Sequence, residues 1–206
     1  MSEKEDLLSI VSDLSEVAVD SVLKDGLLKD IPVFGIGFSV ANLILSASDK
    51  ILLNKLLRFL KELGFRSQKE IEIFKEKYFK DKDYKHIGAQ LLYIIERSDD
   101  EEKIKLLAKL LRLFIDQSID KMEYLRLASI VNNSFPYDLY QIRVFKKYPE
   151  ITSQNKNIET YILDHLFSIG LLESHGTDSG GVSEDSDSGT IYALNKFGTI
   201  ILEKVL

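Results

Sequence analysis

The chain has no cysteine, so disulfides, thiolate metal sites and a thiol nucleophile are all excluded, and a reducing compartment suits it. Histidine is nearly as scarce, with His86, His165 and His175 the only three. Asp164, His165 and His175 could approach one another across a hairpin, but their spacing carries no zinc signature and no metal is expected. The run Asp185-Ser186-Asp187-Ser188-Gly189 opens like a calcium loop, yet the twelfth position, which needs a bidentate Glu, is Lys196. Phosphate loops are missing too: Gly35-Ile36-Gly37 follows no strand pattern and precedes no Gly-Lys-Ser/Thr. No serine sits in a nucleophile elbow with a matching His and Asp. The first residues, MSEKEDLLSI, lack the basic region and cleavage site of a signal peptide, which points to the cytoplasm. These absences leave no catalytic set and no cofactor site, and the expectation is a protein that is not an enzyme.

What is present is apolar helix periodicity. Of 206 residues 45% are hydrophobic, enough for a real core. Ser2 and Glu5 form a capping box ahead of Leu7, Val11, Leu14, Ala18 and Val22. Ala41, Leu45, Ser48, Leu52, Leu56, Phe59 and Leu63 make one stripe ending at Gly64, a C′ residue. Ser67 and Glu70 open a highly charged helix, and two apolar ones follow; the second, after Asp99 and Asp100, lines up Ile104, Leu107, Leu111 and Phe114. Residues 1–118 therefore read as a helical bundle.

Within it, residues 31–48, IPVFGIGFSVANLILSAS, carry no charge at all. A membrane span needs about 20 apolar residues, and Pro32, Gly35, Gly37, Ser39 and Asn42 weaken this one. Because the stripe runs on through Asp49 and Lys50 to Leu63, core is the favoured reading. Gly35, Gly37, Phe38 and Ala41 then form a notch for helix packing. Conditional insertion into a membrane, after release from the core, stays open as the alternative.

Residues 119–206 differ in charge. Residues 1–149 hold 24 basic and 24 acidic side chains, whereas 150–206 hold 3 and 9, so the last quarter carries the whole net charge of −6. A helix ends at Asn132 and Asn133. Another follows, with Pro136 in its first turn and Pro149 closing it. Then come a helix from Ile158 to Ile169, a short apolar strand, a Ser/Asp/Gly loop at 174–189, an alternating strand and a last helix from Asn195. The segments SIGLLES and YALNKFGTIILEKV resemble the entry to and exit from the wing of a winged helix, with Asn195 where Thr is usual and still able to cap. The expected fold is mainly α: an N-terminal helical bundle followed by a winged-helix-like module with a small β-hairpin.

A winged helix implies duplex DNA, but the charge opposes it. Phosphate neutralisation supplies most of such affinity, while the recognition helix offers Glu159 and Asp164 and the wing loop Asp178, Glu184, Asp185 and Asp187. Duplex DNA is not the expected partner. The best nucleic-acid candidate is instead residues 134–149, where Tyr140, Arg143, Lys146 and Lys147 interleave base-stacking and phosphate-binding groups. The favoured reading there is Leu139, Ile142 and Phe145 in the core with the lysines solvated.

LLKDIPVFGIGFSVANLILSASDKILLNKLLRFLKELG, preceded by an amphipathic helix and followed by a helical middle and a winged-helix-like end, resembles bacterial proteins of the abortive-infection alpha family. KDIPVFG and DKILLNKLLRFLKEL are the most similar pieces. The resemblance implies a role in phage defence and brings no catalytic residues. The resulting expectation is a non-enzymatic protein of phage defence or stress response, acting through a protein partner or, conditionally, the membrane, with self-association left open. The alternatives are a nucleic-acid-associated regulator using residues 134–149, and a phage or plasmid accessory protein that modulates a host factor.

Overall fold

The structure, a computed structural model, describes residues 47–65, 68–76, 85–178 and 189–206. The Ser2/Glu5 helix, residues 31–46 with Gly35, Gly37, Phe38 and Ala41, and Ser67 lie outside the described residues. The described chain is mostly helical, with eight α-helices and one small antiparallel sheet. Among the described residues no helix is long and apolar enough to cross a membrane. Two compact units divide the chain, Met1–Ala108 and Lys109–Leu206.

The first unit contains α1 (Ala47–Leu63), α2 (Gln68–Lys75), α3 (Lys85–Arg97) and the first half of α4 (Glu101–Ile115). Two apolar residues per turn, Leu53, Leu56, Leu57, Phe59, Leu60 and Leu63, give α1 a wide buried face. The expected stripe therefore holds from Leu56 onward and fails before it, where Ser48 is exposed and Leu52 only half-buried. Gly64 ends the helix at φ 64°, its amide shared between the Leu60 and Lys61 carbonyls. Lys55 Nζ donates to the Glu96 carbonyl at 2.8 Å and Arg58 pairs with Glu101, tying α1 to the α3–α4 corner.

Asp100 begins α4, its carboxylate accepting the Glu102 N–H at 2.7 Å. Ile104, Leu107, Leu111 and Phe114 are buried as their spacing predicts. Leu106, Ala108 and Leu110 are buried as well, which makes α4 apolar nearly all round. Even Lys103 is buried, its ammonium held by Asp99 at 2.7 Å.

The second unit is built on α5 (Lys121–Asn133), which starts with a reciprocal capping box: Asp120 accepts the Glu123 N–H and Glu123 accepts the Asp120 N–H, both at 2.8 Å. Its inner face buries Tyr124, Leu127, Ala128, Ile130 and Val131. Tyr124 stacks on Phe114 with ring centres 5.3 Å apart. Its hydroxyl is fully buried with no hydrogen-bond partner among the described residues, and burial pushes its pKa up. A buried hydroxyl without a partner is destabilising, so Tyr124→Phe should raise the melting temperature by several degrees, an effect of about 1 kcal/mol. A lower melting temperature in the variant would show that the hydroxyl is bonded.

Residues 136–149 do not form the single helix expected from the sequence. A short α6 (Pro136–Gln141) tightens into a 3₁₀ turn (Ile142–Lys146). Leu139, Ile142 and Phe145 are buried, as expected, at a step of three that is the 3₁₀ period, and Asp138 is buried beside them. Next come β1 (Glu150–Thr152), α7 (Thr160–Ser168), β2 (Leu172–Asp178), β3 (Gly189–Leu194) and α8 (Lys196–Ile200), the last widening into a π-turn over Ile201–Val205. The sheet order is β1-β3-β2, all antiparallel. β1 was not expected, because three residues are too few to show alternation. Glu150 on β1 and Glu173 on β2 both stand opposite Ala193 on β3, so the two carboxylates flank one small residue.

Candidate functional site

The chemistry of the second unit is spread over three surfaces. On the first, Arg143 and Lys146 share one ridge of the 3₁₀ turn, since residues three apart eclipse there, and Tyr140, in the last turn of α6, adjoins it through Arg143. The Arg143 guanidinium lies 4.9 Å from the Tyr140 ring centre and donates to the Leu206 carbonyl at 3.1 Å. Lys147 sits 4.9 Å from the ring centre of its neighbour Tyr148, beside the ridge rather than on it. The structure thus brings three of the four candidate residues together, with one face of the Tyr140 ring already covered.

The second surface is the outer side of α7 and β2. Tyr161, 62% exposed, and Phe167, 44% exposed with its ring centre 5.5 Å from that of Tyr192, lie on α7; Glu159, Asp164, Glu173 and Asp178 are exposed as well. Between Lys156 and Lys196 there is no Lys or Arg. Asp164, His165 and His175 are placed apart, each with its own partner. Asp164 accepts the Tyr192 hydroxyl at 2.8 Å, and His165 Nδ1 donates to buried Asp138 at 2.6 Å, pinning α7 to α6. His175 lies between Glu150, at 2.7 Å from Nδ1, and Glu173, at 3.1 Å from Nε2. Among the described residues no group of three or more His, Asp or Glu could hold a metal ion.

A neutral imidazole has one N–H, so only the imidazolium can donate to both carboxylates. The hydrogen bonds to Glu150 and then Glu173 accordingly raise the His175 pKa. A raised folded-state value means that the stabilisation is complete below the unfolded value near 6.5 and is lost as pH rises through the folded one. Thermal melts between about pH 6 and pH 9 should therefore show a decline in wild-type melting temperature that His175→Gln flattens. Parallel profiles for the two proteins would contradict the bridge.

The third surface is a groove of about 720 Å³. Its floor is α5, through Met122, Arg126, Ser129 and Asn133; Ser168 and Ile169 at the end of α7 and Phe197 of α8 also line it. In the first unit a smaller cleft of about 210 Å³ lies between α1 and the start of α4. Arg58 and Glu101 line it as an ion pair.

No family model, curated protein or solved structure matches the chain. Sequence reasoning missed the groove, because Met122, Arg126, Ser129 and Asn133 form no motif and the other lining residues, Ser168, Ile169 and Phe197, belong to later parts of the chain. One signal was present: a Met at an outward position of a helix whose opposite face was already apolar.

Proposed function

We propose that this is a non-enzymatic protein of phage defence or stress response, of the abortive-infection kind, whose second unit is a winged helix used to contact another protein. The observation that carries this reading is the exposed side of α7 and β2, two elements that present two aromatic rings and several carboxylates and contain no Lys or Arg. Such a surface repels a phosphate backbone and suits a protein. The winged-helix reading is supported by the order helix, strand, helix, paired strands, helix, with β3 between β1 and β2 and Asn195 capping the exit. The link to phage defence comes from the family resemblance at residues 28–63, most of which precedes α1. Reduced plaquing or early growth arrest is expected when the protein is expressed in a phage-challenged bacterium. Unchanged plaquing and growth across a broad phage panel would count decisively against it.

A second reading, nucleic-acid association, is favoured by the Arg143–Lys146 ridge and the adjoining Tyr140. The primary reading expects no mobility shift of single- or double-stranded oligonucleotides even at low salt. A shift that weakens with salt, with a log–log slope of about −2, and that is lost in Arg143→Ala/Lys146→Ala, would establish the second reading instead.

A further inference from the structure

Met122, Arg126, Ser129 and Asn133 recur along α5 at steps of four, three and four, and all four are exposed. They make one outward stripe down the whole helix, about 16 Å or three turns long. The opposite face of α5 is already committed to the core through Tyr124, Leu127 and Val131, so packing gives no reason for Met122 to be 71% exposed. An exposed methionine is an adaptable apolar contact for a partner. Ser129, small and central, lets another backbone come close.

Two ionisable groups line this groove, and only one is neutralised. Glu123 pairs with Lys196 and accepts the Asp120 N–H, and these contacts hold its carboxyl below its usual pKa. Arg126 has no carboxylate partner among the described residues; its guanidinium lies 5.8 Å from the Phe197 ring centre. Among the described residues the groove therefore offers a bidentate donor between Met122 and Phe197 that no carboxylate neutralises. A groove with apolar contacts at Met122 and Phe197 and, between them, a guanidinium that meets no carboxylate among the described residues is complementary to an amphipathic helix bearing carboxylates, and a three-turn stripe matches helix-in-groove recognition.

We propose that the α5–α7–α8 groove is the docking site for an acidic amphipathic helix of a partner protein, its apolar side chains against Met122 and Phe197 and a carboxylate on Arg126. This goes beyond the protein-contact reading above, whose observation is the separate α7–β2 surface, and names a partner's chemistry for the groove.

The test uses the full chain and two designed helical peptides of about four turns, with the same leucine stripe and polar faces entirely of Glu or entirely of Lys. Fluorescence anisotropy should show the Glu peptide binding at least about tenfold tighter than the Lys peptide. Arg126→Glu should reverse that preference, and Met122→Asp should weaken the Glu peptide by about tenfold, both without lowering the melting temperature. Absence of saturable binding, equal binding of the two peptides, or unchanged selectivity in Arg126→Glu would overturn the proposal. Preference for the Lys peptide would do the same and place docking on the acidic α7–β2 surface. Charge-selective binding by a protein that gives no effect on plaquing leaves the docking site standing and removes the defence reading. Plaquing protection without peptide binding does the reverse.

Discussion

Replacing Gly198 with alanine should lower the melting temperature of the second unit by more than about 10 °C. Glycine to alanine inside a helix ordinarily stabilises by about 0.5–1 kcal/mol, so the expected sign is opposite to the usual one. The reason is close backbone approach. A Cβ at Gly198 would stand 2.2 Å from the Leu171 carbonyl oxygen and 2.9 Å from Leu194 Cδ2. The first obstacle is main chain and cannot rotate away. It is held in place, since the Asn195 N–H donates to the same Leu171 carbonyl at 3.2 Å. Overpacking of this kind costs about 3 kcal/mol at the upper end of its usual range. Gly170 supplies the control: it has φ 85° and nothing within 4 Å of a built Cβ. Gly170→Ala should cost only the left-handed strain of about 1–2 kcal/mol. Thermal melts of both variants decide the matter, and a Gly198→Ala protein that melts like the wild type would refute the close approach.

Asn195→Ala should destabilise the second unit by about 2–3 kcal/mol, more than a helix cap alone accounts for. The side chain uses both of its ends. Oδ1 accepts the N–H groups of Phe197 at 2.9 Å and Gly198 at 3.0 Å, which caps α8. Nδ2 donates to the carbonyls of Gly170 at 2.9 Å and Leu172 at 3.3 Å, fastening the start of β2 to the end of β3. Alanine removes the cap, worth about 1 kcal/mol, and leaves two part-buried carbonyls without this donor. Threonine, the residue usual at such an exit, would keep a cap oxygen but lose the amide donors, for an intermediate cost of about 1 kcal/mol. Denaturation midpoints should therefore fall in the order Asn, Thr, Ala. Equal midpoints for Asn and Thr would mean that the two carbonyl contacts contribute nothing.

The helices were legible wherever several turns repeated one pattern. Ile104, Leu107, Leu111 and Phe114 showed the inner face of α4 directly, and Asn195 announced the start of α8 through its side-chain chemistry. The stripe of α1 was legible only in its second half. A four-then-three step can be drawn through Ser48 and Leu52, but burial follows the denser pair of rows through Leu53, Leu57 and Leu60. The change from α to 3₁₀ at Ile142 was hidden because an apolar residue every third position satisfies both periods for two turns. β1 was hidden by its brevity: its three residues become a strand only because Tyr192 and Ala193 lie beside them.

The charge asymmetry, the absence of thiol chemistry, the cap at Asn195 and the inner face of α4 were determined by the sequence alone, because each depends on composition or on residues within a turn or two of one another. Tertiary structure decided everything that joins distant positions. It set His175 between Glu150 and Glu173, gave His165 to Asp138, laid Gly198 against Leu171, and formed a groove over the outer face of α5. Except for Glu173, which shares β2 with His175, these partners are 25 or more residues apart or belong to different elements. No local periodicity links them, so only the packing of one element on another could bring them together.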